Sequence, residues 1–319
     1  MRNSGKQNYS GYGSPLPPNR AAAIEISRKI KDLSFSPKID DEVFNELSAL
    51  WQNQKHKFDS ICLSQMVCLI AKRFNGRGTL NQQIRSFLSE ISKSIKQAID
   101  SHNAWSLANI AWGFAKLGLL SPTLMDAIAT SAQRKISEFN AQGLANTVWA
   151  FAALGMYEQS SLFLNQASSS VLPFSKINLY QLHIASIVSK TPLCGDLAAK
   201  ASDVLEDERE NRPTTNAFES TVKLLLTKLA IYFEEKVFVD GYFIDFVIRC
   251  NDGKPIALEC DGDQHHDLNG NVSDGLIGHD RIRDVMLGMR GYRVIHLPFS
   301  DYDSLPEEKR VAWLVEKLR

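Results

Sequence analysis

The stretch that decides the fold of the C-terminal part reads YFIDFVIRC from Tyr242 to Cys250, then NDGK, then PIALECDGDQHH from Pro255 to His266. Two apolar runs rich in β-branched and aromatic residues are separated by turn-forming residues, a pattern typical of a β-hairpin. Asp245, Glu259 and Asp261 lie inside these runs, although carboxylates are unfavourable in strand interiors. Their presence there requires a chemical reason.

The length of the connecting loop decides which of these side chains face each other. If residues 251–253 form a three-residue loop with Gly253 in the left-handed conformation, Asp245 pairs opposite Glu259. Glu259 and Asp261 are two residues apart on one strand and therefore share a face. A two- or four-residue loop would shift the pairing and separate Asp245 from Glu259. The three-residue loop predicts one patch that contains all three carboxylates.

Carboxylates this close together repel each other unless a cation or a proton lies between them. A hard divalent ion, Mg²⁺ or Mn²⁺, held by carboxylates and water fits such a patch. We therefore expect Asp245, Glu259 and Asp261 to be metal ligands or acid–base groups, exposed to solvent and of little weight for stability. Beside a phosphodiester, the ion would stabilise the attacking and leaving oxygens. The alternative is a degenerate site that is kept for the fold or for binding.

The hairpin resembles the core of the PD-(D/E)XK nuclease superfamily, with Asp245 on the aspartate of that motif and Glu259 on its acidic residue. Asp261 occupies the position of the motif's lysine. Glu-x-Asp-Gly followed by Gln-His is similar to the sequence of Vsr-like nucleases and RAP domains, and the resemblance covers residues 216–319. It implies a restriction-endonuclease-like α/β fold in the order α, β-hairpin, α, β, α, with a metal-dependent nuclease site.

The resemblance implies roles for three further residues. Gln264 takes the water-positioning place of the missing lysine, and His265 acts as a general acid–base group near neutral pH. The alternative for a histidine in a loop is a solvated side chain. Glu219 lies in the first turn of a predicted helix over residues 214–232, where the superfamily often places an acidic residue that faces the metal. The competing account is a capping box with Asn216.

An internal repeat organises the N-terminal part. Residues 102–118 (HNAWSLANIAWGFAKLG) align with residues 139–155 (FNAQGLANTVWAFAALG), and weaker copies start at Phe58 and Phe174, so the spacings are 44, 37 and 35 residues. Each copy predicts a helix, a turn marked by glycine and a second helix. Units of this size bury their apolar stripes only by stacking. We therefore predict an α-helical repeat solenoid whose concave face is a binding surface.

These copies resemble the helical repeats of octotricopeptide and Fas-activated serine/threonine kinase family RNA-binding proteins, which commonly precede a RAP domain. The resemblance implies that single-stranded RNA binds the solenoid. Asn109 and Asn146 recur at one position, where they contact a base edge or hydrogen-bond the neighbouring repeat.

Trp112 and Trp149 lie at helical spacing and are predicted to belong to the core. The candidate phosphate contacts are Lys72, Arg73, Lys116, Arg281 and Arg283; for the last two, the alternative is pairing with Asp280 and Asp284 on their own helix.

We predict four segments: a disordered tail over residues 1–19, a helical repeat RNA-binding domain over 20–205, a charged linker over 206–213 and an α/β domain with its own core over 214–319. Residues 20–205 carry 19 basic and 14 acidic side chains, whereas residues 206–319 carry 15 and 22. A basic segment beside an acidic one suits a polyanion binder coupled to a metal site. The alternative is that a basic excess of this size over residues 20–205 is unremarkable.

Composition narrows the class of protein further. No apolar run approaches the length of a membrane span, and the N terminus lacks the pattern of a secretory signal. Five cysteines without paired-ligand spacing favour reduced thiols. We expect an intracellular protein, cytoplasmic or organellar, or a bacterial effector delivered into a host cell. The leading hypothesis is an RNA-binding solenoid that presents RNA to a metal-dependent endoribonuclease-like domain. The alternatives are a non-catalytic RNA-binding regulator and a helical-repeat adaptor for protein partners.

Overall fold

A computed structural model describes residues 18–74, 80–249, 253–262 and 278–319. Within these ranges the chain is mostly helical and ends in a small mixed sheet. The helices before the sheet are α1 (Pro18–Ser34), α2 (Asp40–Gln54), α3 (Ser60–Arg73), α4 (Leu80–Gln97), α5 (Ala104–Lys116), α6 (Pro122–Arg134), α7 (Ala141–Ala153), α8 (Tyr157–Ser168), α9 (Lys176–Val188), α10 (Gly195–Glu210) and α11 (Ala217–Lys228). The C-terminal elements are β1 (Phe233–Val239), β2 (Tyr242–Ile248), β3 (Ile256–Asp261), α12 (Gly278–Met289), β4 (Arg293–Pro298), α13 (Phe299–Asp303) and α14 (Glu307–Leu318).

Four helices of the first part begin with a side-chain N-cap at recurring positions. Asp59, Asn103, Asn140 and Ser175 each accept a hydrogen bond from the backbone N–H three residues further on. A side-chain oxygen at this place satisfies one of the helix N–H groups that lack an intrahelical partner. The caps are 44, 37 and 35 residues apart, which is the spacing of the sequence copies. The four copies therefore begin their first helix at the same position.

The helices that follow these caps pack side by side. α5 lies between α3 and α7, and α7 also contacts α9. Leu107 on α5 and Leu144 on α7 are fully buried in this layer. Gly113 allows α5 to approach α3 closely, because a Cβ there would lie 2.5 Å from Val67 Cγ1. A row of neighbouring helices thus exposes one face along α3, α5 and α7.

The sheet has the strand order β1-β2-β3-β4. β1, β2 and β3 are antiparallel, whereas β4 lies parallel to β3, and α12 belongs to the crossover that a parallel pair requires. The turn between β1 and β2 consists of Asp240 and Gly241, whose φ angles are 48° and 98°. Positive φ at both positions is typical of a type I′ turn, whose twist matches that of the flanking strands.

The predicted register of the β2–β3 hairpin is confirmed. Phe246 pairs with Leu258, so the ladder continued by one residue places Asp245 opposite Glu259. Gly253 has a φ of 86°, as predicted for the last residue of the loop, because positive φ is accessible to glycine without strain. The two other residues of the predicted loop lie outside the described ranges.

Only one face of the sheet has a core of its own. On that face Phe246 and Leu258 pack with Val222 of α11 and Leu314 of α14. On the opposite face the buried residues of the sheet and of α12 join the same apolar cluster as those of α1 to α10, and α12 contacts α9, α7 and α5. The prediction of two separate cores is therefore wrong for this face, and the helical part and the sheet share one interior there.

The β1–β2 turn is fixed against α9. The Tyr180 hydroxyl donates a hydrogen bond to the Gly241 carbonyl over 3.0 Å, and its ring packs edge-on against Tyr242 with centroids 5.6 Å apart. Asp240 binds the guanidinium of Arg290, which follows α12. A Cβ on Gly241 would collide with the Tyr180 ring. The turn therefore docks the sheet onto the helical part.

The predicted segment boundaries differ in detail from the structure. α1 begins at Pro18, inside the predicted tail, and residues 1–17 lie outside the described residues. The predicted linker starts inside α10, which continues to Glu210. In the described part of the chain, no helix is both long enough and apolar enough to cross a bilayer.

Candidate functional site

A row of charged side chains crosses the sheet from strand to strand. The β1–β2 register pairs the neighbours of Lys236 with those of Asp245, which places these two residues opposite each other. Asp245 in turn lies opposite Glu259 on β3, and Glu259 pairs with His296 on β4. Each of the four strands thus contributes one ionisable residue to the same line.

Lys236 joins two acids at the β1 end of this row. Its ammonium lies 2.6 Å from the Asp245 carboxylate and 2.7 Å from that of Glu219, and all three side chains are largely buried. Asp245 also accepts a hydrogen bond from the Cys260 N–H at 2.8 Å. Burial disfavours the charged form of Lys236, but the hydrogen bonds that the ammonium donates to Asp245 and Glu219 outweigh burial and raise its pKa.

Glu219 is held by the N-cap of its helix and also reaches the charged row. Its backbone N–H donates to the Asn216 side chain at 2.9 Å, and its carboxylate accepts from the Asn216 side-chain amide at 2.7 Å. The N-cap half of the predicted capping box is thus present, but the return bond comes from the Asn216 side chain and not from its backbone N–H. The remaining carboxylate oxygen pairs with Lys236. The cap therefore fixes the orientation of an acid that also reaches the charged row.

Glu259 shares its surroundings with Arg283 on α12. The guanidinium lies 3.4 Å from the Glu259 carboxylate, 3.7 Å from Asp280 and 3.9 Å from Asp284. Glu259 is only 3% exposed, and its Oε1 makes no hydrogen bond within the described part of the chain. Burial raises the pKa of Glu259 to about 8; Arg283 opposes this shift, and the neighbouring carboxylates add to it. Pairing of Arg283 with acids on its own helix matches the structural alternative.

His296 bridges two further acids at the β4 end. Its Nδ1 lies 2.6 Å from Asp261 and its Nε2 lies 2.9 Å from Asp284. Burial lowers the pKa of this imidazole, but the two carboxylates outweigh burial and raise the pKa to about 10. His296 is thus an imidazolium at neutral pH, held in place through both ring nitrogens.

The three predicted metal ligands are therefore neighbours, but each faces a cation of the protein. Asp245 binds Lys236, Glu259 contacts Arg283, and Asp261 binds His296. Among the described residues, no group of three His, Cys, Asp or Glu side chains is arranged to hold a metal ion. The expectation of solvent-exposed carboxylates is wrong, because Glu259 and Asp261 are buried and Asp245 is largely so.

Six carboxylates and three cationic side chains meet in this cluster among the described residues; the carboxylates belong to Glu219, Asp245, Glu259, Asp261, Asp280 and Asp284. A buried carboxylate is stabilised by a proton or by a nearby cation. The unbonded Glu259 Oε1 is a hard oxygen ligand of the kind that Mg²⁺ or Mn²⁺ accepts. This oxygen is the part of the cluster that fits a divalent cation, because Asp245 and Asp261 face Lys236 and His296.

Two predicted catalytic residues, Gln264 and His265, lie outside the described residues. They follow Asp261 closely along the chain. The predicted roles of these two side chains therefore stay predictions.

A groove of about 450 Å³ runs over α1, α3, α5 and α7. The structure brings three of the predicted RNA-binding residues together there, namely Lys72, Asn109 and Asn146. Trp105 also lines the groove and is 46% exposed, whereas Trp149 is buried, as predicted, and Trp112 is only partly buried. Gln181 donates a hydrogen bond to the Asn146 side chain over 3.1 Å. Asn146 thus makes the contact with the next copy that the structural alternative predicts.

Four other predicted RNA-binding residues do not line this groove: Arg73, Lys116, Arg281 and Arg283. The Arg73 guanidinium pairs with Asp40 at 3.3 Å and donates to the backbone carbonyls of Ser36 and Lys38, so it ties the end of α3 to the connection between α1 and α2. Arg283 lies within the carboxylate cluster. Lys116 ends α5, two helical turns beyond Asn109.

Sequence reasoning missed Lys236 and His296. The Asp240–Gly241 turn is a recognisable signal for a two-residue hairpin, and its register places Lys236 opposite Asp245. His296 had no comparable signal, because β4 reaches β3 only through a long crossover that fixes no register. In the groove, Lys31, Phe35 and Gln65 were also missed, since they come from helices that carry no strong copy of the repeat.

The chain was compared with protein-family models and with curated protein sequences. No family model matches it. No curated protein matches it either.

Proposed function

We propose that this chain binds single-stranded RNA in the groove over α1, α3, α5 and α7, with its stacked helical pairs forming a repeat solenoid. The observation that carries the proposal is the chemistry of the groove. Lys31 and Lys72 supply positive charge, carboxamides supply donors and acceptors, and Trp105 presents a ring. No Asp or Glu is among the described residues that line it. Lysines pair with phosphates, while rings and carboxamides contact unpaired bases.

A second proposed activity is metal-dependent hydrolysis of the bound RNA at the carboxylate cluster, in a restriction-endonuclease-like α/β domain. The unbonded, buried Glu259 Oε1 and its closeness to Asp245 and Asp261 favour it. Asp245, Glu259 and Asp261 would hold a divalent cation, which would polarise the phosphodiester and lower the pKa of a bound water.

The protein's own cations have definite roles in this proposal. Lys236 and Arg283 neutralise carboxylates of the cluster, since both lie against them. His296 holds Asp261 in one orientation through its Nδ1 contact, and Asp284 holds the other ring nitrogen.

The groove and the cluster are neighbours through α5 and α7. Trp149 lies one helical turn beyond Asn146 on α7, and it contacts the start of α12 at Gly278. A Cβ on Gly278 would collide with the Ala115 carbonyl of α5, so α12 begins directly against these helices. Asp280 and Arg283 follow within its first two turns. α12 and its acids thus pack on two of the helices that line the groove.

The binding proposal is tested with a fluorescently labelled single-stranded RNA and anisotropy titrations at several salt concentrations. Affinity is expected to fall steeply with salt, because each phosphate contact releases counterions. Lys31→Glu with Lys72→Glu should abolish most of the binding. Lys96→Glu, on exposed surface of α4, is the matched control. If the affinity for RNA changed neither with salt concentration nor in the Lys31→Glu, Lys72→Glu variant, a protein-adaptor function would be favoured instead.

The hydrolysis proposal is tested by incubating total RNA with the protein and Mg²⁺ or Mn²⁺ and mapping the new RNA ends. Cleavage should require the metal and disappear in Glu259→Gln. RNA binding without any cleavage would establish the non-catalytic regulator. Cleavage that persists in Glu259→Gln would show that another site is responsible.

A further inference from the structure

We infer that the groove contains a pocket for one nucleobase, with Phe35 and Trp105 as its rings and Gln65 and Asn109 as its polar contacts. This inference rests on the proposed RNA binding and goes beyond it, since it assigns base contacts to particular side chains. Phe35 is 80% exposed and Trp105 is 46% exposed. Both line the same groove. Two exposed rings at one concave site are the usual platform for an unpaired base.

A row of carboxamides crosses the helical layer, and three of its members, Gln65, Asn109 and Asn146, line the groove. Counted from the start of each copy, the eighth residue is Gln65 in the first, Asn109 in the second, Asn146 in the third and Gln181 in the fourth. These residues lie on α3, α5, α7 and α9, which are neighbours in the helical layer. The repeat thus carries one carboxamide per copy along one line of the surface.

The side chains of this row differ in the hydrogen bonds that they already make within the protein. Gln181 donates to Asn146 Oδ1 at 3.1 Å, which ties these two side chains to each other. Ser27 Oγ donates to Gln65 Oε1 at 2.7 Å, which leaves the Gln65 amide N–H groups for a ligand. Asn109 makes no side-chain hydrogen bond within the described part of the chain. Base contacts are therefore expected at Gln65 and Asn109, whose amide N–H groups are not bonded to a neighbouring carboxamide among the described residues.

The charge and the size of the groove also favour a nucleobase with its phosphate. Lys31 and Lys72 are its only charged lining residues in the described part of the chain. A volume of about 450 Å³ lies in the range of small-molecule sites. Carboxamides pair with base edges through a donor and an acceptor at once. A neutral planar ring with an anionic phosphate beside it matches all of these features. A cationic ligand would be repelled by the two lysines.

The test compares labelled single-stranded RNA 12-mers with abasic strands of the same length, using the full-length protein. We expect the base-bearing strands to bind more tightly. Trp105→Ala should weaken that binding about tenfold, in line with the contribution of one stacked base, and Trp105→Phe should retain it. Asn109→Ala should reduce differences between homopolymers. Tyr232→Ala, which removes a ring that is 76% exposed elsewhere, is the matched control.

The outcomes separate this inference from the function on which it rests. Equal binding of abasic and base-bearing strands, or unchanged affinity in Trp105→Ala, would overturn the nucleobase pocket and leave RNA binding intact. Failure of the unaltered protein to bind any RNA would overturn the proposed function together with the pocket. The pocket would also be contradicted if Trp105→Ala weakened the binding of abasic strands as much as that of base-bearing strands. The ring would then contact the RNA backbone and not a base.

Discussion

The ammonium of Lys236 on β1 lies 2.6 Å from the carboxylate of Asp245 on β2, directly across the ladder. The same ammonium lies 2.7 Å from Glu219 at the start of α11. One buried cation thus joins two strands and a helix. The two carboxylates that bind Lys236 are therefore part of the interior of the protein, and their substitution affects stability as well as chemistry.

Lys236→Met should destabilise the protein by about 3–5 kcal/mol, because it leaves Asp245 and Glu219 buried without their cation. Urea unfolding measures the free energy directly. The control is Lys223→Met, which breaks a more exposed pair with Glu235 at 2.7 Å and should cost less than about 1 kcal/mol. Equal effects of the two substitutions would show that the Lys236 contacts do not hold the sheet to α11.

Glu259→Gln should abolish metal-dependent cleavage with little loss of stability. Burial raises the pKa of Glu259 to about 8, so the charged form is disfavoured at this position, and the uncharged glutamine of similar shape avoids that cost. Asp245→Asn should also abolish cleavage, but it removes a partner of Lys236 and should lower stability by about 3 kcal/mol. RNA-end mapping and urea unfolding on both variants check this contrast. A strongly destabilised Glu259→Gln variant would show instead that the charge of Glu259 stabilises the fold through Arg283.

His102→Phe should stabilise the protein by about 1–3 kcal/mol at neutral pH. His102 is fully buried, and neither ring nitrogen makes a hydrogen bond in the described part of the chain. The other copies have phenylalanine at this position, at residues 58, 139 and 174. The converse substitution, Phe139→His, should destabilise. Thermal unfolding of both variants decides the matter, and a destabilised His102→Phe variant would mean that the site is shaped for imidazole.

The same residue predicts a pH dependence. Burial, with Lys135 nearby, lowers the pKa of His102 to about 4, whereas the ordinary value for an unfolded chain is about 6.5. Between these values the unfolded state binds more protons, so stability falls as the pH drops from about 6.5 to 4. His102→Phe should remove this part of the acid sensitivity. Identical unfolding curves of the two proteins across that pH range would exclude His102 as its source.

Gly241→Ala should loosen the sheet from the helical part. Gly241 has a φ of 98°, and an added Cβ would collide with the Tyr180 ring of α9. Gly253→Ala is a close control, because Gly253 has a φ of 86° but nothing within 4 Å of an added Cβ. Both variants carry backbone strain of about 1 kcal/mol, and only Gly241→Ala carries the collision. Faster proteolysis of Gly241→Ala alone is the expected result; equal behaviour of the two would contradict the docking role.

Local patterns in the sequence were sufficient for much of this architecture. The pairing of Asp245 with Glu259 followed from the predicted three-residue loop that ends at Gly253, because the length of a hairpin loop determines register. The repeat positions likewise matched the caps at Asn103 and Asn140. Both features depend on residues close together along the chain.

Contacts between distant parts of the chain could not be read in this way. His296 reaches Asp261 only because β4 pairs with β3 after a crossover. Arg283 faces Glu259 because α12 packs between the sheet and the helical layer, and this packing also merged two predicted cores into one. The burial of the carboxylates followed from that packing and from no local pattern.

The central claim is that RNA lies in the groove over α1, α3, α5 and α7. Photo-cross-linking of a single-stranded RNA that contains 4-thiouridine, followed by mass spectrometry of the cross-linked peptides, tests it most directly. The predicted result is cross-linked peptides that contain Phe35 and Trp105. Cross-links confined to α6 and α8, with none on α1, α3, α5 or α7, would contradict it.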